Sequence, residues 1–446
     1  MIVISIFLKT ITLNQITMKS LNQLTYALLL TGCLAVAQQE KGIVGSSNWL
    51  NNWTEFKPGK IEYNDSNQIL FGNITTNITL YKKNTYLLQG PVYVTNNAIL
   101  TIEPGTVIKG DFETNGTLVV TKGSTIIADG KETDPIVFTS NRPIKKSGDW
   151  GGLVLLGDAP INKFGGTASL PFDLDASKTL YGGNNIASNS GILRFVRVEY
   201  AGRKAKGFKE FNSLTLAGVG TKTILDNIMC SFSGDDSFEI YGGEVNISKA
   251  ISYRALDDDF DFTQGAQVNL DNSLAIRNSF ISITGARCLE VESYERKEDA
   301  DFAKKMTSVV ASNMTLINDS NNLEADIAAG LIKEAVRIAE NTSVAIKKSV
   351  ISGFNPAVNL DSKIEIKDQN LKKIKLEDNY FNNCKGNIYT ENNTNNEDLE
   401  DHYGSTAFGN TYNPQGLNKE TFIDIANPKQ PDFRLKISKI TASNTK

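Results

Sequence analysis

Asp235-Asp236 in SGDDSFEIYGG (233–243) and Asp257-Asp258-Asp259 in RALDDDFDFTQG (254–265) set carboxyl groups side by side in two neighbouring stretches. Eight acidic side chains fall between Asp235 and Asp261, in a chain whose net charge is only −4. Such groups suit two chemistries. One carboxyl can protonate a glycosidic oxygen while another activates water, for which Asp235, Asp236 and Asp258 are the candidates. Arg254 is their nearest cation, and Arg277 and Arg287 are further bases for a lyase. Alternatively, carboxylate oxygens can share a hard cation, and Glu239, Asp259, Asp261 and Glu290 are candidate calcium ligands. A third reading is structural: Asp235, Asp236, Asp257 and Asp258 cap turns through side-chain-to-backbone hydrogen bonds while the others are solvated or paired.

The elements that carry these residues follow from a repeat. Asp235-Asp236-Ser237-Phe238-Glu239-Ile240 matches Asp257-Asp258-Asp259-Phe260-Asp261-Phe262 at an offset of 22 residues, acid over acid and Phe over Phe. Ile228, Ile251 and Leu274 suggest a second register with a 23-residue step, and Phe195 stands upstream of it. Short β-type runs separated by Gly, Asn and Asp fill the chain from about Asn84, including TYLLQGPVYV, GTLVVTKGSTIIADG and GGLVLLG. A coil of this length with two or three short strands, stacked on itself, is a parallel β-helix. Successive coils then lie about 4.8 Å apart, with alternate side chains inside. Phe238, Ile240, Phe260 and Phe262 are expected inside; Ser237, Glu239, Asp259 and Asp261 are expected outside, with Glu239, Asp261 and Glu290 forming an acidic ladder. Like charges at that spacing repel by roughly 1 kcal/mol in water and about 3.5 kcal/mol at an effective dielectric of 20, so something must compensate. LEADIAAGLIKEAVRIAEN (323–341) has helical spacing and reads as one inserted helix.

Composition narrows the function. The 446-residue chain has ordinary globular proportions and no polybasic stripe, which excludes nucleic acid as a partner. Cys230, Cys288 and Cys384 are widely spaced without CxxC, and read as small buried residues. His402 is the only histidine, so a Ser-His-Asp triad or a histidine-rich metal site has little to build on. Trp150 in GDWGG is either a sugar-stacking platform or a packed corner.

From Met18, MKSLNQLTYALLLTGCLAVAQQE reads as an export signal, too short in its apolar run to span a membrane. Leu30-Thr31-Gly32-Cys33 fits a lipobox that would acylate Cys33, whereas Ala35-Val36-Ala37 fits signal peptidase cleavage. Either places the protein outside the cytoplasm, at the cell surface, in the periplasm or secreted, touching membrane only through a lipid on Cys33. The expected organisation is a signal over 1–37, a polar segment and cap over 38–84, a β-helix over 85–390, and a C-terminal loop and cap over 391–446.

LTIEPGTVIKG, PIVFTSN, GDWGGLVLLGDAPIN, SGILRFVRVEYAG, NSLTLAGVG and SGDDSFEIYGG resemble a family of secreted or surface-anchored right-handed β-helix proteins of Bacteroidota and related bacteria. The likeness covers about residues 85 to 300, and PDFRL (431–435) resembles the end of such domains, with no sorting domain expected after it. It implies export and a right-handed solenoid, and it carries over no catalytic residues. SGDDSF also looks like the paired-Asp motif of polygalacturonase-type hydrolases, but the Gly-His-Gly and Arg-x-Lys elements that accompany that motif have no counterpart. The sequence therefore favours a β-helix that binds an extracellular or envelope polysaccharide, or a surface protein. A lyase or hydrolase acting on acidic polysaccharide is the alternative.

Overall fold

The computed structural model describes residues 41–278, 286–391 and 396–436. Within them, 28 strands join in one sheet that winds as a right-handed parallel β-helix. Each coil contributes three short strands. The 22-residue step places Phe238 on Phe260, Glu239 on Asp261 and Ile240 on Phe262, and the next coil adds Leu289 on Phe260 and Glu290 on Asp261. Inside the coil, the rings of Phe238 and Phe260 stack at 4.8 Å between centroids. Both are fully buried in a core that runs the length of the stack, and each such side chain contributes about 1.5–3 kcal/mol.

The second register needs correction. Ile228 stacks on Ala250 rather than Ile251, which stacks on Met229 and Leu274. Phe195 is not in that row, because it occupies the corner before Val196, the residue that pairs with Ile228. That corner is left-handed in every coil from Phe195 through Asn227, Lys249, Asn272, Asn313 and Lys348 to Asp378. Asn tolerates such φ values best, yet stacking holds Phe and Lys there as well.

Three boundaries also differ from expectation. The coil begins at Gln68–Ile74, which pairs with Thr85–Val94, and it continues to Thr411–Asn413, which pairs with Tyr380–Asn382. The inserted helix spans only Leu323–Ala328. After Gly330 turns with φ 71°, Val336–Ile338 returns to the stack as a strand between Leu289–Val291 and Val358–Leu360. The alternation of Val336, Arg337 and Ile338 suits a strand, and the core position of Ile338 outweighs helix propensity.

Residues 41–66 are a strap along the outside rather than an N-terminal cap. Lys41 Nζ donates to Gly409 O at 3.2 Å, Ile43 N to Thr315 Oγ1 at 3.0 Å, and Val44 N to Asn272 Oδ1 at 2.8 Å. Phe56 then packs on Tyr253, Trp53 on Phe195, and Arg197 Nη2 donates to Tyr63 Oη at 2.7 Å. The strap thus runs back across the stack from its last coil. The antiparallel pair Phe422–Asp424 and Asp432–Leu435 lies against it through Phe433 and Phe56.

Candidate functional site

The acidic ladder lies on the strand column whose outward positions read Val119, Val154, Thr215, Glu239, Asp261, Glu290, Arg337, Asn359, Thr390. Its early coils are covered. A loop carrying the small hairpin Ala168–Ser169 and Leu180–Tyr181 packs Ile161, Leu170, Phe172 and Tyr181 over Val119, Val154, Ala217 and Tyr241, joined by Phe211. Outward Val and Tyr need such a cover, and the cover ends where the column turns acidic.

Two of the residues expected outside point inward. Ser252 donates to Asp259, lies 2.7 Å from the Ser237 hydroxyl, and sits on a strand whose Ala250 belongs to the core. Arg277 Nη1 pairs with Asp259 Oδ2 at 3.0 Å, both nearly inaccessible. Alternation fails here because Asp259 precedes its strand, Phe260–Thr263, and the corner rotates its side chain into the coil. Asp259 therefore belongs to a buried ion pair and not to the calcium set.

Glu290 is also otherwise engaged. Arg287 reaches its Oε2 at 2.8 Å and Arg337 its Oε1. Burial alone would raise its pKa, but hydrogen bonding from Asp258 and the two guanidinium groups hold it below the usual value. What the structure brings together instead is Asp236, Glu239 and Asp261, whose carboxylate oxygens lie within 4.8 Å of one another; Asp235, Asp236 and Asp257 form a second such group.

Asp236 and Asp258 have backbone duties. Asp236 Oδ1 accepts from Asp258 N at 2.9 Å, Asp258 accepts from Arg287 N, and Asn212 Oδ1 accepts from Asp236 N at 3.2 Å. These bonds run from one coil to the next, 22 and 29 residues apart, instead of closing an Asx turn within the same corner. Asn212 was missed, although NSLTLAG aligns with DSFEIYG at an offset of 24 and could have revealed it.

Lys209, also missed, supplies the local cation: its Nζ lies 2.6 Å from Glu239 Oε1 and 3.3 Å from Glu295 Oε1. Asn212 donates to the other oxygen of Glu239. Burial would lower the pKa of Lys209, but Glu239, Tyr241 and Asp261 outweigh it and keep the ammonium protonated. No sequence pattern marks it, since it arrives from a loop remote in register.

Burial, followed by neighbouring negative charge, pushes the remaining carboxyls up. Asp235 rises to about 8 and Glu292 to about 7, and Asp236, Asp258 and Asp261 are raised as well. Asp261 Oδ1 is buried without a hydrogen-bond partner. Burying such an oxygen is costly unless a proton or a cation meets it. Once ionised, Asp236, Glu239 and Asp261 with Lys209 would carry three negative charges and one positive, a net −2 that one calcium ion would cancel, and all the donors are the hard oxygens calcium takes. The donor set fits the ion.

The other candidates lie elsewhere. Arg254 is paired with Asp319 at 2.6 Å at another corner of the coil. Trp150 is fully buried, its Nε1 donating to Glu199 O at 2.9 Å, so it offers no face to a sugar. Trp150→Ala is expected to cost about 3–5 kcal/mol, read from denaturant melts. Cys33 lies outside the described residues.

Beside the cluster, a cleft of about 520 Å³ opens between the hairpin loop and the segment after Ser293. Tyr181, Tyr241 and Gln264 are among its lining residues, as are Phe164, Glu295 and Arg296. Phe164 is 63% exposed, an aromatic face available within the cleft. Tyr241 and Glu295, both contacts of Lys209, connect the cleft to the acidic ladder.

No helix among the described residues is long and apolar enough to cross a membrane. No curated protein matches the chain. Among solved structures it is similar to the surface protein and adhesin PfbA of Streptococcus pneumoniae, at 10% identity and a TM-score of 0.29, covering 71% of this chain and 91% of that one. It is also similar to an alginate lyase from Paenibacillus sp. str. FPU-7, at 13% identity and a TM-score of 0.24, covering 77% and 97%. Residues 72–424, most of the coil, match the pectate-lyase-like beta helix domain, and the chain belongs to that family.

Proposed function

We propose that this protein is an exported glycan-binding β-helix that does not cleave its ligand, with Asp236, Glu239 and Asp261 holding a calcium ion beside the cleft at Phe164. The observation that carries the reading is the commitment of every basic group around the cluster. Lys209 is bound to Glu239 and Glu295, Arg287 to Glu290 and Glu334, and Arg337 to Glu290 and Asp361. A lyase needs an unprotonated base poised over the sugar, and the carboxylates beside Lys209 and Arg287 hold both protonated. A hydrolase needs two carboxyls free to exchange protons with substrate and water, whereas Asp236 and Asp258 are tied to backbone N–H groups. A bound calcium ion would supply positive charge to an acidic polysaccharide, and Phe164 would stack on a sugar ring.

Export rests on the leader-like sequence before Gln38. The test is a panel of acidic polysaccharides assayed for retention and for release of reducing ends or unsaturated uronates. We expect retention that drops about tenfold or more with Phe164→Ala, since stacking is worth ~1–2 kcal/mol, and no release. Release that disappears in Asp236→Asn would establish the enzyme instead.

A further inference from the structure

The two ends of the stack are finished differently. At the C-terminal end, the helix Glu397–Gly404 lies across the last coils, with Leu399 and Tyr403 fully buried in the core and Tyr403 Oη donating to Ile374 O at 3.1 Å. At the N-terminal end, Gln68–Ile74 pairs only with Thr85–Val94, and Ile78–Leu80 only with Ile99–Ile102. Among the described residues no strand or helix covers the outer edge of either. The apolar interior is open there: Leu70 and Ile78, which stack on the core residues Leu88 and Leu100, are only half-buried. A Cβ built on Gly72 would meet nothing within 4 Å. The described chain does not turn back to close this end, because Lys41, where it starts, sits at the far end beside Gly409 and Thr411.

An open sheet edge over an apolar interior is ordinarily blunted by charge or proline. This one carries neither. Residues 66–81 contain no charged side chain and no proline, in a chain that is 22% charged. Ile69 and Phe71 on the same strand are 55% and 71% exposed.

We infer that this edge is an interface between two copies of the chain, joined head to head about a two-fold axis so that Gln68–Ile74 pairs antiparallel with its counterpart. Three observations select a second copy. A charge-free edge meets itself without like charges facing each other. The edge strand supplies the unpaired backbone groups, and the open coil supplies the apolar surface that a matching coil would cover. The core at the opposite end is already filled by Leu399 and Tyr403 of the helix, so the open coil finds a matching open coil only at the same end of a second copy, which makes the contact self-complementary.

Sedimentation equilibrium of the full chain tests this. The wild type should weigh two chains and no more. Ile69→Lys combined with Phe71→Lys, both at exposed outward positions, should give a single chain that still unfolds in one cooperative transition and keeps its polysaccharide retention, with a melting temperature that no longer depends on protein concentration. A wild-type monomer at all concentrations, a larger or open-ended assembly, or a dimer that survives the double substitution would overturn the inference. Retention of polysaccharide by the monomeric variant keeps the proposed function separate from this outcome.

Discussion

In chelator, the protein should melt at a lower temperature at about pH 8 than at about pH 5, and millimolar calcium should recover the loss at the higher pH while changing little at the lower. Burial and mutual repulsion raise Asp235 to about 8 and Glu292 to about 7, with Asp236 and Asp261 raised beside them. These carboxyls bind protons more tightly folded than unfolded, where they titrate near 4. Their stabilising contribution is therefore complete below that range and is lost as pH rises through the folded values. For Asp235 alone the loss is on the order of 5 kcal/mol, or ~6 °C for a chain of this size. Calcium needs the ionised form, so its effect grows as the protons leave. At a hundredfold excess over its dissociation constant the ion adds about 2.7 kcal/mol, a rise of ~3 °C. A melt that climbs with pH in chelator would contradict the burial and charge ascribed to this cluster.

Arg277→Met should be among the most destabilising single substitutions. The guanidinium is enclosed with Asp259 inside the coil, 3.0 Å away, and donates to Arg287 O at 2.8 Å. Removing it leaves a buried carboxylate supported only by neutral groups, the Ser252 hydroxyl and the Cys288 thiol, and breaking one partner of such a pair costs about 3–5 kcal/mol. Arg277→Met with Asp259→Leu should recover most of that loss, because a buried pair contributes little over apolar residues of similar volume. Urea midpoints at constant m-value measure both. A double variant no more stable than Arg277→Met would show that the pair itself, and not the stranded charge, carries the stability.

The coil was legible because its repeat is written in large side chains: Phe238 over Phe260 and Glu239 over Asp261 fix the step, and the parallel ladder follows. What misled were positions at corners. Phe195 and Asp259 sit where the backbone turns, so counting by twos from the adjoining strand assigned the first to a row it does not join and the second to the wrong side. Val336–Ile338 was read as helix because its neighbours have helical spacing, and only its place between two other strands makes it one.

The candidate site was legible in part. Glu239 and Asp261 were identified from the repeat. Asp236 replaces Asp259 and Glu290 beside them because side-chain reach, not ladder position, decides which oxygens converge. Lys209 and Phe164 come from loops that cross the column from other coils, and no spacing within the repeat encodes that.

Calcium binding measured by equilibrium dialysis at neutral pH, for the wild type and for Asp261→Asn, bears most directly on the reading of the acidic ladder as a cation site. One ion retained per wild-type chain, and lost in the variant, is the expected result. An ion-free wild type, or an ion equally retained by Asp261→Asn, would contradict it.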